Sequence, residues 1–111
     1  MERVHLGEFE QVLLYALLRL DSDDGAAGLE IGRVIEARTG RAISPGAIYT
    51  GMNRLEARRL VKSRLGDPTA RRGGKRRRLY RITAQGRVTL AASHAALGDM
   101  ARGLAPRLLP R

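Results

Sequence analysis

Residues 44–60 read Ser44-Pro-Gly-Ala-Ile-Tyr-Thr-Gly-Met-Asn-Arg-Leu-Glu-Ala-Arg-Arg-Leu60, the pattern of a short helix with two unlike faces. A serine at the N-cap accepts a backbone N–H, and a proline in the first helical position gives up no hydrogen bond, so Ser44-Pro45 is a start signal. Ile48, Met52 and Leu55 then fall four and three apart, on one stripe to be buried. Thr50, Asn53 and Arg54 come out on the opposite face, with Tyr49 next to Ile48. Arg58 and Arg59 suit the last turn, where cations meet the negative end of the helix dipole.

Beyond Leu60 the spacing changes to two extended runs, Val61 to Leu65 and Arg77 to Ile82, separated by a Gly-, Pro- and Arg-rich stretch containing Gly73-Gly74. That pattern predicts an antiparallel hairpin. Alternation turns Tyr80 and Ile82 inward and leaves Arg77 and Arg81 on the other face with Leu79.

Upstream, Leu6, Phe9, Leu13, Ala16, Leu17 and Leu20 predict a helix over about 6–19, ended by the acidic and glycine-containing stretch Asp21 to Gly28. Ile31, Val34, Ile35 and Arg38 predict a second helix over about 29–38, closed by Thr39 and a left-handed Gly40. Thr83 caps a last helix expected over 84–105 and stopped by Pro106. The order is helix, helix, helix, hairpin, helix. It predicts a mainly α fold with a small β-hairpin: a winged helix-turn-helix over residues 1–83, then a C-terminal dimerisation helix and tail over 84–111. In such a fold the third helix enters the major groove and the ribbon lies over the flanking backbone.

Charge agrees with that placement. The chain has 111 residues, enough for one ordinary core, and a net charge of +10. Residues 64–83 hold eight cations against one acid, so most of the excess sits in the expected wing. Isolated surface charges do little for stability, and like charge concentrated at a loop tip is better explained by a polyanionic partner than by solubility alone. The charge by itself equally supports a small RNA-binding module, and the fold also serves as a protein-interaction scaffold. RNA readers usually display aromatics for stacking, however, and of the four here only Tyr80 lies near the basic run.

Other chemistries find little support. There is no cysteine, and His5 and His94 stand apart with no ligand spacing around them, so no metal or cofactor is expected. Ser44, His94 and Asp99 fall on unrelated elements without a nucleophile motif, which argues against an enzyme. No apolar run approaches the roughly 18 residues of a membrane span, so a soluble, cytoplasmic chain is expected. With no tryptophan and only Phe9, Tyr15, Tyr49 and Tyr80, the sequence names no small-molecule inducer.

The assembled residues resemble the N-terminal domain of PadR-family transcriptional regulators. The resemblance is carried by Gly28-Leu-Glu30-Ile31, Ser44-Pro-Gly46-Ala-Ile48-Tyr49, Asn53-Arg54-Leu55-Glu56, Leu60-Val61, Arg72-Gly73-Gly74-Lys75-Arg76 and Tyr80-Arg-Ile82-Thr83-Ala-Gln-Gly86. It covers roughly residues 6–90 and implies a DNA-binding repressor working as a homodimer on a pseudo-palindromic double-stranded operator.

The candidate DNA contacts are Ser44, Gly46, Tyr49, Thr50, Asn53 and Arg54 in the third helix, and Arg71, Arg72, Lys75, Arg76 and Arg77 in the wing. Tyr49 could instead fold sideways over the hairpin. For dimerisation, Leu90, His94, Leu97, Ala101 and Leu104 recur at four and three, the seam of a heptad, with His94 as a tolerated polar position.

Overall fold

A computed structural model describes residues 5–67 and 76–110. Its elements are α1 (Glu8–Leu20), β1 (Ala26–Ala27), α2 (Gly28–Thr39), α3 (Pro45–Ala57), β2 (Val61–Leu65), β3 (Arg78–Ile82) and α4 (Ala84–Ala101), followed by a short 3-10 turn at Ala105–Leu108. Helix starts are set locally. Glu10 and Glu30, each in the first turn of its helix, reach back to the N–H of Gly7 and Ala27 at 2.9 Å. Ser44 Oγ accepts from the Ala47 N–H at 3.1 Å, and Thr83 Oγ1 from the Gly86 N–H at 2.9 Å, as expected of N-caps. Gly40 closes α2 with φ of +75°.

The core is where α1, α2 and α3 meet. Leu13, Leu14, Ile31, Ile35, Met52 and Leu55 are fully buried, and Ile48 is nearly so. Leu14 widens the buried face of α1 beyond the stripe read from the sequence. Arg38 leaves the stripe of α2 for solvent. At Gly51 the two helices approach so closely that a Cβ would meet the Leu13 side chain and stand 3.1 Å from Phe9.

Three differences from the sequence reading concern the sheet and the helix ends. The hairpin is one part of a three-stranded antiparallel sheet of order β1-β3-β2, in which Ala26 faces Tyr80, and Ser63 faces Tyr80 from the other side. Two alanines carry no alternation, so β1 left no trace in the pattern. Helix α3 ends at Ala57, with Arg58 at its C-cap and Arg59 beyond it at a left-handed φ of +63°. Helix α4 ends at Ala101 rather than Ala105, because Gly103 takes φ of +80° and turns the chain. Pro106 therefore lies within the 3-10 turn and stops nothing.

The first turn of α4 is locked to the end of α3. Leu60 C=O accepts the Thr83 N–H at 3.0 Å, and Thr83 Oγ1 donates to Arg59 C=O at 2.8 Å. Gly86 lies over the same carbonyl: a Cβ there would collide with Leu60 O and stand 2.7 Å from Ile82 Cγ1. Thr89 and Leu90, one turn on, are buried. Because backbone cannot give way as a flexible side chain can, Gly86→Ala is expected to cost about 1–3 kcal/mol of stability. Circular dichroism should show the thermal midpoint falling by roughly 4–8 °C per kcal/mol.

Candidate nucleic-acid interface

Once Ile48, Gly51, Met52 and Leu55 are buried, the helical period leaves Gly46, Tyr49, Thr50, Asn53, Arg54 and Ala57 along the outer face of α3. All six are exposed. Ser44 is exposed too, but its hydroxyl already serves as the N-cap. Among the described residues outside its own turn of helix, nothing lies within 4 Å of where a Gly46 Cβ would stand, so the start of α3 is open to a large partner. Tyr49 is 53% exposed and lines a groove together with Arg78 and Tyr80 of β3.

The arginines near this face fall into two groups. Several are engaged within the chain. Arg58 donates to Glu10 at 2.7 Å and to the His5 carbonyl at 2.8 Å, tying the end of α3 to α1. Arg41 meets Glu8 at 2.9 Å. Arg76 donates through Nε to Gly66 C=O at 2.8 Å, closing the base of the wing, and Arg77 stands 3.9 Å from Glu30 on α2. Arg54, by contrast, has no ion pair or side-chain hydrogen bond among the described residues. Arg71, Arg72 and Lys75 lie outside the described residues.

A groove of about 620 Å³ runs between α2, the start of α3 and β3. Its lining includes Leu29, Arg33, Tyr49 and Arg78, of which only Tyr49 was singled out from sequence. Strand alternation carried a signal for Arg78, since it shares the inward face of Tyr80, two residues on. Burial pushes the Tyr80 phenol above its ordinary pKa, with Arg78 pulling the other way, so this side chain stays neutral.

The residues of the expected dimer seam are not brought together as a heptad. Leu90 is 3% exposed in the chain's own core, which leaves almost none of it for a partner. His94 Nδ1 is 2.9 Å from the Tyr15 hydroxyl, with the two rings edge to face. Leu97 and Ala101 are exposed on α4, whereas Leu104 lies beyond its end. Met100, which the heptad reading passed over, is 76% exposed.

Three packed helices, a basic two-stranded wing and an open third-helix face define a winged helix-turn-helix regulator. Residues 14–92 match the Transcriptional regulator PadR-like family, and the chain belongs to that family. The family is one of regulators, not enzymes. Over 68 residues the chain is 40% identical to "Transcriptional regulator Rv3488" of Mycobacterium tuberculosis, an alignment covering 60% of this chain and 58% of that protein. The chain thus spans little more than half the length of this curated relative. Among solved structures it is similar to a PadR family transcription regulator from Clostridium difficile R20291, with a TM-score of 0.73 at 21% identity over 93% of this chain and 100% of that one. A PadR-like transcriptional regulator from Bacillus cereus gives a TM-score of 0.69 at 21% identity, covering 93% of each chain. At such identities the likeness is one of fold. Among the described residues, no helix is long and apolar enough to cross a membrane, and no cluster of metal-ligating side chains occurs.

The division of the arginines can be checked by stability alone. Arg58→Gln breaks a half-buried ion pair and a bond to a carbonyl, and should cost about 1–2 kcal/mol in urea unfolding. Arg54→Gln, on the open face, should stay within about 0.5 kcal/mol of the parent.

Proposed function

We propose that the chain is a cytoplasmic DNA-binding repressor that acts as a homodimer on a two-fold related operator. The observation that carries this reading is the outer face of α3. It is polar, exposed and unengaged, on a helix whose other face is core. Asn53 and Arg54 suit base edges, Asn pairing well with adenine and Arg with guanine, while Tyr49 and Thr50 suit phosphates or a thymine methyl. The wing cations Arg71, Arg72, Lys75, Arg76 and Arg77 add a sequence-independent attraction to the backbone.

Support for the dimer comes from the C-terminal segment. Leu97, Met100, Leu108 and Leu109 are all more than half exposed, an apolar surface that a monomer has no use for. An apolar groove of about 660 Å³ also opens between α1, α2 and His94 of α4, lined by Val12, Tyr15, Leu18 and Val34 among others. A radius of gyration of 16.0 Å, against about 13 Å for a compact chain of 100 residues, fits a segment that reaches out from the body. A helix-turn-helix commonly reads a two-fold site by pairing, and this segment is suited to make the pair.

Fragments selected from genomic DNA would supply the operator for fluorescence anisotropy. Asn53→Ala or Arg54→Ala should cost about 1–3 kcal/mol on that site and much less on an unrelated duplex. Equal losses on both would move these residues to the phosphate backbone, and preference for structured RNA over any duplex would overturn the reading. For the dimer, Leu97→Glu with Met100→Glu should leave the thermal midpoint within a few degrees. Analytical ultracentrifugation should then give a monomer at micromolar concentration, and operator affinity should fall. A dimer that survives both changes would place the interface elsewhere.

A further inference from the structure

Resting on the DNA-binding reading, we propose that Arg78 and Arg33 hold one backbone phosphate of the bound duplex in the groove between α2, α3 and the wing base. Glu56 and Ser63 are the positioning residues that aim Arg78 into it. Of the side chains lining this groove, Arg33 and Arg78 are the cations and Glu36 the acid, so the balance favours an anion. Both arginines are exposed, and the Tyr49 side chain lines the same groove as a possible third donor. An arginine fork presents five N–H donors and matches the oxygens of a phosphate, often through two parallel bonds.

Arg78 is held by a neutral hydroxyl. Its Nη1 donates to Ser63 Oγ at 2.9 Å. Ser63 Oγ has one proton, and the Glu56 carboxylate stands 2.8 and 3.0 Å away to accept it. The Ser63 backbone N–H donates to the same carboxylate at 3.0 Å. With its proton committed to Glu56, the hydroxyl can only accept from Arg78. The relay joins α3, β2 and β3, so the helix that reads bases also sets the direction of a wing-base arginine. Arg77 offers the contrast: it lies beside the Glu30 carboxylate, which offsets its charge. Among the described residues no carboxylate forms an ion pair with Arg78, so its direction is set and its charge is left for the partner.

The test uses the full chain with a fluorescein-labelled operator duplex and an unrelated duplex of equal length, titrated across a salt series. Arg78→Ala and Arg33→Gln should each weaken both duplexes by the same factor. Each should also flatten the slope of log K against log salt, and the two changes together should flatten it by about 0.9 per protomer, the value of the one phosphate they share. Ser63→Ala should shift the slope the same way in the parent and change nothing further when Arg78 is already alanine; a purely structural serine would weaken both backgrounds equally. Arg33 stands on an exposed helix face, so its variant keeps the test decisive if changes at the wing base disturb folding. Unchanged slopes for Arg33→Gln and Arg78→Ala would overturn the phosphate site, and DNA binding itself would stand if Arg72→Ala with Lys75→Ala still flattened the slope. Additive losses for Ser63→Ala would overturn the relay. A parent chain with no salt-dependent affinity for either duplex would instead remove the underlying reading.

Discussion

Helix α3 has to satisfy the core and a partner at once, and the seat that α1 gives it is the constraint on which the other features depend. Ile48, Met52 and Leu55 are each worth about 1.5–3 kcal/mol when taken out of water, so the rotation of α3 about its axis is settled by burial alone. Gly51 then lets α1 come close, and Arg58 ties the far end of the helix to Glu10. A rotation by one residue, about 100°, would carry Met52 and Leu55 toward water and Asn53 into the core. The outward direction of Tyr49, Thr50, Asn53 and Arg54 is thus a by-product of hydrophobic burial.

The charge distribution shows the same economy. Acids are scarce in a chain of net charge +10, and several of those present are placed against particular arginines. Glu8, Glu10, Asp24, Glu30 and Asp99 each face one. The acids lie on α1, the loop after it, the start of α2 and the end of α4, while their partners include Arg58 at the C-cap of α3 and Arg64 and Arg77 in the wing; none of the five pairs uses a residue of the outer face of α3. Exposed pairs of this kind add little stability. Their effect is on potential: they offset part of the positive charge at the wing base and at the end of α3 and leave Arg54 and Arg78 without an ion pair among the described residues, which is the kind of uncancelled charge that steers a polyanion.

What could be read from the sequence was what is local. The stripe of α3, the caps at Ser44 and Thr83, the left-handed Gly40 and the switch from helical to alternating period at Leu60 are all decided within a few residues, and they appear where expected. Pairings between distant segments were not legible. Strand β1 is two alanines joined to Tyr80 and Leu79, some fifty residues on, with no pattern of its own. The relay from Glu56 to Ser63 to Arg78 crosses three elements and has no signature in any one of them. The heptad spacing at Leu90, His94 and Leu97 is local and legible, whereas the burial of Leu90 in this chain's own core and the turn at Gly103 before Leu104 are set by tertiary packing that no spacing records.

The lock between Leu60, Thr83 and Gly86 has a mechanical meaning. An 18-residue helix is about 27 Å long, so α4 is a lever clamped at one end to the turn that follows α3. A change of about 5° at that clamp would move the far end by about 2 Å, a sizeable part of the 3.4 Å rise of one base pair. In the proposed dimer, the distance between the two third helices would depend on this joint. If the proposed dimer holds, residues 83–86 would be where the half-site spacing of its operator is retuned.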